Sequence, residues 1–157
     1  MPKGFVAAEA GHFVNILPPI DITGGATVDI FHMKNYAHAT IVIQFGVTAS
    51  AATKITVEEC SDAAGTGNTA IAHYIYKEET ASGDTLGART AVAAAGTTPS
   101  ANDNIMYVIE LDASELSDGK PYVKLTITAP AASILCSAMA ILSGSRYAEE
   151  QSATAIT

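Results

Sequence analysis

The sequence predicts an all-β fold, an antiparallel β-sandwich of the jelly-roll or Ig-like (immunoglobulin-like) type with an extended N-terminal arm. Apolar and polar residues alternate along short runs, for example over 38–47 and 122–129, and this is the pattern of strands with one buried face. The runs are rich in β-branched and aromatic residues, and clusters of Gly, Asn, Asp and Pro separate them. No long helical pattern lies between the runs, which excludes a parallel α/β fold and favours a sandwich.

The first 25 residues differ from the rest of the chain because their apolar residues show no clear period. A proline pair enforces extended backbone there. We predict an arm whose apolar residues need cover from their own domain or from a neighbour. Its predicted interface residues are Phe5, Phe13, Ile16, Leu17, Pro18 and Pro19. The alternative is that the arm folds back as an extra edge strand over its own sandwich.

Seven or eight strands are predicted after the arm, and the segment around 89–94 is the weakest of them. They lie over 27–33, 38–47, 54–60, 70–77, 89–94, 104–111, 122–129 and 134–142. Alternation along the second strand places five residues on its buried face, namely Ala39, Ile41, Ile43, Phe45 and Val47. The segment 134–142 is apolar on both faces, which suits a central strand, with a short buried helix as the alternative.

The chain is predicted to form one domain, because 157 residues can bury a core of their own. The predicted division is an arm over 1–25, a β-sandwich over 26–143 and a polar C-terminal tail over 144–157. Asp112 is predicted to cap a single helical turn, with Glu115 in the capping-box position. The sequence also predicts neither a signal peptide nor a membrane span.

The charge of the chain limits the partners that it can bind, and its cysteine content limits the disulfides that it can form. The formal net charge is −8, from 16 acidic and 8 basic residues, and the basic residues are scattered singly. Direct binding of nucleic acid or of an anionic membrane is therefore not expected, since both need clustered Lys and Arg. Cys60 and Cys136 are too few for a disulfide scaffold and are predicted to be reduced, buried thiols.

The polar residues show no spacing that is typical of catalytic or metal sites. The histidines are His12, His32, His38 and His73, and no pair has HxH or HExxH spacing. No serine lies in a G-x-S-x-G elbow. We expect no catalytic residue, no metal, no cofactor and no enzyme activity. Glu58 and Glu59 are one exception, because an inward carboxylate in this pair would have a pKa raised by burial, although a β-bulge or a strand end is a simpler account.

Four segments resemble structural proteins of tailed-bacteriophage virions, particularly head decoration (cement) proteins. The segments are 17–22 (LPPIDI), 76–84 (YKEETASGD), 111–122 (LDASELSDGKPY) and 140–147 (AILSGSRY). The resemblance implies a non-enzymatic, β-rich protein without catalytic residues, synthesised in the host cytoplasm and bound in many copies to the capsid surface. It implies the major capsid protein as partner and a homo-oligomer. The apolar residues of the arm over 1–25 are expected to contact a neighbouring subunit or the capsid.

Two other functions remain open at this point. The first alternative is a phage tail or neck component, because such proteins have similar sequence features. A glycan-binding β-sandwich module is the alternative from another class, since such domains stack aromatic rings on sugars. The chain has no tryptophan, and its six tyrosines are spread along the sequence.

Overall fold

The computed structural model describes residues 4, 6–48, 54–80, 83–145 and 156. In these residues two antiparallel sheets pack face to face, which confirms the predicted all-β sandwich. The elements in chain order are α1 (Ala7–Ala10), β1 (His12–Asp21), β2 (Phe31–His32), β3 (Tyr36–Thr48), β4 (Lys54–Cys60), β5 (Thr69–Ile71), β6 (His73–Glu78), β7 (Thr90–Val92), β8 (Ile105–Asp112), a 3₁₀ turn (Ala113–Glu115), β9 (Tyr122–Thr128) and β10 (Ile134–Ser145).

The larger sheet has six strands in the order β1-β10-β3-β8-β6-β7, and the smaller has four in the order β2-β9-β4-β5. The 13-residue β3 lies at the centre of the larger sheet. Its Ile41 is paired with Ala140 of β10 on one side and with Ile109 of β8 on the other. All three residues are fully buried, so this register places one face of the sheet on the core.

The core lies between the two sheets and is built from alternate residues of their strands. β3 buries Ala39, Ile41, Ile43 and Phe45 as the alternation predicts. Val47 is 62% exposed, so its predicted inward position is wrong. The pairing of β3 with β10 shifts there, because Cys136 pairs with Phe45 but Ile134 pairs with Thr48. One extra residue in β3 forms a bulge, and a bulge reverses the alternation beyond it.

Residues 12–21 are an edge strand of the six-stranded sheet, which is the alternative that the sequence left open for the predicted arm. β1 pairs with β10, and its Ile16 and Leu17 are fully buried in their own core. The prediction that Ile16 and Leu17 contact a neighbouring molecule is therefore corrected, because both lie in the core of their own domain. The physical reason is a register shift between Asn15 and Leu17, which directs two consecutive side chains inward and hides the period of two.

The other predicted arm residues are placed differently. Phe13 is 46% exposed, and Pro18 and Pro19 are exposed on β1. Phe5 lies outside the described residues.

Because β1 is part of the six-stranded sheet, the sandwich begins at β1 rather than at residue 26. Its last strand, β10, ends at Ser145 rather than at residue 143.

Most of the other predicted elements are confirmed with small changes, but of the predicted strand over 27–33 only Phe31–His32 is a strand. The segment 70–77 is divided into β5 and β6, and 134–142 is part of a strand rather than a helix. The predicted helical turn is the 3₁₀ turn, in which the Asp112 N–H donates to Glu115 Oε2 at 2.9 Å. Among the described residues, no helix has the length and apolar character that crossing a bilayer requires.

We predict that Leu17→Ala lowers the free energy of unfolding by about 2–5 kcal/mol, because truncation of a fully buried side chain leaves a cavity. Urea denaturation followed by circular dichroism measures this change. Phe13→Ala on the same strand is the control and should change stability by about 0.5 kcal/mol or less. A neutral Leu17→Ala would show that β1 is not part of the core.

Candidate functional site

The outward face of the six-stranded sheet carries side chains in registered rows, because successive residues of a strand point to opposite faces. We call this side the outer face. One row runs across five strands through Asn15, Met139, Val42, Val108 and Tyr76. Four of its five members have largely apolar side chains. The outer face is therefore less polar than a fully solvated sheet face.

Several exposed apolar side chains of the outer face lie along β1 and β10. We call Phe13, Leu135, Met139 and Ile141 the apolar patch. Phe13 is paired with Ile141 across the two strands, and Phe13, Leu135 and Met139 are 46%, 51% and 41% exposed. Leu135 also lines a shallow groove of about 410 Å³ whose lining includes Pro19, Gly46 and Met106. Large apolar groups grouped in this way typically mark an interaction surface.

A polar cluster lies next to the patch, where β3 and β8 are paired. We call His38, Thr40, Glu110 and Asp112 the polar corner. His38 Nδ1 lies 2.7 Å from Asp112 Oδ1, and its Nε2 lies 2.6 Å from Glu110 Oε2. The Thr40 hydroxyl donates to the same Glu110 oxygen at 2.7 Å. Both ring nitrogens of His38 are thus held by carboxylates, which fixes the ring in one orientation.

The carboxylates of the polar corner determine the charge of His38. Partial burial alone would lower the pKa of His38, but the hydrogen bonds and negative charges of Asp112 and Glu110 outweigh it and raise the pKa above its usual 6.5. Protonated His38 donates to both carboxylates. The corner then carries one net negative charge, and the Asp112 side chain remains 62% exposed.

A cation–aromatic pair borders the polar corner on β6. The Arg89 guanidinium carbon lies 3.4 Å from the centre of the Tyr74 ring, a distance at which a cation is attracted to the ring face. Tyr74 is paired with Glu110 across β6 and β8. The outer face is therefore polar near the start of β3 and the end of β8, and apolar along β1 and β10.

The other histidines occupy different surroundings. His12 stacks on Tyr36 with ring centres 5.7 Å apart, and His32 meets the Tyr122 ring edge-on. His73 is buried, its Nδ1 lies 3.2 Å from the Ile71 carbonyl oxygen, and burial lowers its pKa. Within the ranges that the structure describes, no three His, Cys, Asp or Glu side chains are placed to hold a metal ion.

Of the pair Glu58 and Glu59, Glu59 is the residue whose carboxylate points inward, and its side chain is buried. The expected direction of its pKa shift is wrong. Burial raises its pKa, but the Ser117 N–H donates to Oε2 at 2.8 Å and Lys120 Nζ lies 3.3 Å from Oε1, and together they lower it. Glu59 therefore anchors the loop before β9 as an ionised group.

The two cysteines are free, buried thiols in different sheets, Cys60 on β4 and Cys136 on β10. Burial raises the pKa of both, to about 12 for Cys136. A thiol with a raised pKa is a poor nucleophile at neutral pH.

The polar corner was not predicted from the sequence, although its residues alternate in both strands. His38-Ala39-Thr40 and Glu110-Leu111-Asp112 each place two polar side chains on one face. Recognition of the cluster also required the pairing of His38 with Asp112, which is a matter of register.

Comparison with known proteins identifies no relative, because no family model, no curated protein and no solved structure matches the chain.

We predict that His38 titrates above pH 6.5 and that Asp112→Asn moves this titration downward. A raised folded-state pKa means that the stabilisation is fully present below pH 6.5 and is lost as the pH rises through the folded-state pKa. NMR titration of the imidazole resonances measures the pKa. His73 is the internal control, because its folded-state pKa should lie below 6.5. Titration of His38 at or below pH 6.5 would contradict the carboxylate clamp.

Proposed function

We propose that this protein is a non-enzymatic virion structural protein, a decoration protein that binds and stabilises the assembled head of a tailed bacteriophage. The observation that supports a surface-binding role is the outer face, where the apolar patch and the polar corner lie on one sheet. The resemblance of four sequence segments to head decoration proteins supports the choice of partner.

The size of the outer face suits a protein–protein contact. Six strands spaced about 4.8 Å apart, and the run of β10 from Leu135 to Ser143, define a face on the order of 600 Å². A stable interface buries about 800 Å² on each partner. The outer face, with the exposed prolines of β1 at its margin, can supply most of such a contact.

The chemistry of the outer face specifies the surface that it fits. Phe13 and Met139 are suited to apolar contacts, and Asp112 offers an exposed carboxylate at the edge. The whole chain carries a net charge of −8. A complementary capsid surface would be apolar and flanked by Lys or Arg, since complementary charge speeds encounter and sets orientation. Binding to the assembled shell and not to its free subunits stabilises the shell by mass action.

Localisation in the particle tests this function directly. Immunogold labelling of intact particles with an antibody to the chain should cover the head. Labelling confined to the tail or neck would overturn the decoration role in favour of that component. Failure to label particles, together with binding of the isolated protein on a glycan array, would overturn the virion role altogether.

We predict that Met139→Asp weakens binding to assembled capsids by about 30-fold or more, because a buried charge at the centre of an apolar contact costs about 2 kcal/mol or more. Co-sedimentation of purified protein with capsids that lack it measures the affinity. Leu86→Asp is the matched control, since Leu86 is also an exposed apolar residue, 38% exposed, but lies outside the apolar patch. Equal loss in both variants, or in neither, would contradict the assignment of the outer face.

A further inference from the structure

The turn that precedes β9 contains an Asp-Gly pair, Asp118-Gly119. Asp118 is the only Asp or Asn of the sequence that is followed by Gly. The Lys120 N–H donates to the Ser117 carbonyl oxygen at 3.1 Å, and Gly119 has a φ of 80°, so residues 117–120 form a β-turn whose third residue is left-handed. Ser117, Asp118 and Gly119 are all exposed to solvent.

The two groups of this pair that can react with each other are not held by other contacts. Among the residues that the structure describes, no group is hydrogen-bonded to the Asp118 carboxylate or to the Gly119 N–H. A Cβ added at Gly119 would meet no atom within 4 Å, so the Gly119 nitrogen is open to approach. By contrast, the Asp62 carboxylate, in the loop after β4, accepts a hydrogen bond from the Thr66 N–H at 2.9 Å.

The same turn carries both partners of the buried Glu59 carboxylate. Ser117, just before the pair, donates its N–H to Glu59 Oε2 at 2.8 Å, and Lys120, just after the pair, places its Nζ 3.3 Å from Glu59 Oε1. The Glu59 side chain is buried, so the loss of either partner would leave a buried charge without compensation. Glu59 therefore sets how far apart Ser117 and Lys120 can lie.

We propose that Asp118-Gly119 is a modification site at which aspartate converts spontaneously to isoaspartate, and that this conversion releases the turn from Glu59. In the carboxylic acid form of Asp118, the Gly119 nitrogen bonds to Asp118 Cγ. The amide proton and the carboxyl hydroxyl leave as water, and a five-membered succinimide ring forms. Water then opens the ring. Addition at Cγ regenerates aspartate, whereas addition at the original backbone carbonyl leaves Gly119 bonded to Cγ and frees an α-carboxylate.

The isoaspartate product has a different backbone but the same net charge. Its main chain runs through Cβ and Cγ of residue 118, which adds a methylene group between Ser117 and Gly119. The carboxylate that is lost at Cγ reappears on Cα, so the effect on the turn is one of geometry. The lengthened turn cannot hold Ser117 and Lys120 on the two Glu59 oxygens at once. The loop before β9 then loses its anchor.

Ageing of the folded, full-length protein at body temperature and neutral pH tests the modification. Digestion followed by electron-transfer fragmentation distinguishes isoaspartate from aspartate, which has the same mass. Isoaspartate should accumulate in the peptide that contains Asp118 and should stay at background in the peptide that contains Asp62. Background levels in both peptides, or equal accumulation in both, would overturn the proposal.

Two variants at position 118 are the matched controls for the ageing experiment. Asp118→Glu keeps the charge but would have to form a less favourable six-membered ring. Asp118→Asn forms the same succinimide with loss of ammonia, and it should be modified faster than the wild type. Total isoaspartate is measured by enzymatic methyl transfer from S-adenosylmethionine to its α-carboxylate. It should fall to background in Asp118→Glu, and an undiminished signal in that variant would overturn the assignment to this site.

Hydrogen exchange detected by NMR tests the release from Glu59. In the isoaspartate form, separated chromatographically from the unmodified protein, the Ser117 amide should exchange at least about tenfold faster, because its hydrogen bond to Glu59 is lost. The Thr66 amide is the internal control, since it also donates to a carboxylate but lies in a different loop. Equal exchange of the Ser117 amide in the two forms would overturn the release. Faster exchange of both amides to the same extent would indicate general destabilisation and would overturn it as well. These experiments use no capsids, so their outcome is independent of the proposed function.

Discussion

The pairing of β3 with β10 and β8 is the constraint on which the rest of the structure depends. β3 is the longest strand and has a partner along both sides. Because side chains alternate along a strand, this register sends Ile41 and Ile43 into the core and Thr40 and Val42 to the outer face. A slip by one residue would exchange the two sets. The core and the candidate interaction surface are therefore fixed by the same hydrogen-bond ladder.

Carboxylates serve two different purposes in the molecule. Glu59 is buried, and its ionised form is retained because Ser117 and Lys120 supply the hydrogen bonds and charge that water would otherwise provide. Asp112 and Glu110 lie nearer to solvent and hold the ring of His38. For Glu59 and for His38, the hydrogen-bond and charge partners outweigh burial in setting the direction of the pKa shift. Partners of this kind come from distant parts of the chain.

The alternation of apolar residues was sufficient to predict the sandwich and most strands, and the spacing of Asp112 and Glu115 predicted the capped turn before β9. It failed where strands bulge, at Val47 and at Ile16 with Leu17, because one extra residue reverses the face of the residues beyond it. The polar corner could not be predicted, since its β3 residues lie 70 to 74 positions before the β8 residues that they contact and meet them only through register. Phe13 is exposed, as an interface residue must be. The pattern of the sequence around Phe13 does not identify the molecule that it would contact.

The proline pair of β1 has a consequence for how copies of this chain can meet. A strand extends a sheet by exchanging backbone N–H and carbonyl groups with its neighbour, and Pro18 and Pro19 have no N–H to give. The nearby carbonyl of Ile16 is already engaged by Asp29. Growth of a continuous ribbon from molecule to molecule is therefore blocked at this margin. Neighbours that approach from this side must instead be recognised by the shape and polarity of their side chains, which favours a discrete contact over open-ended polymerisation.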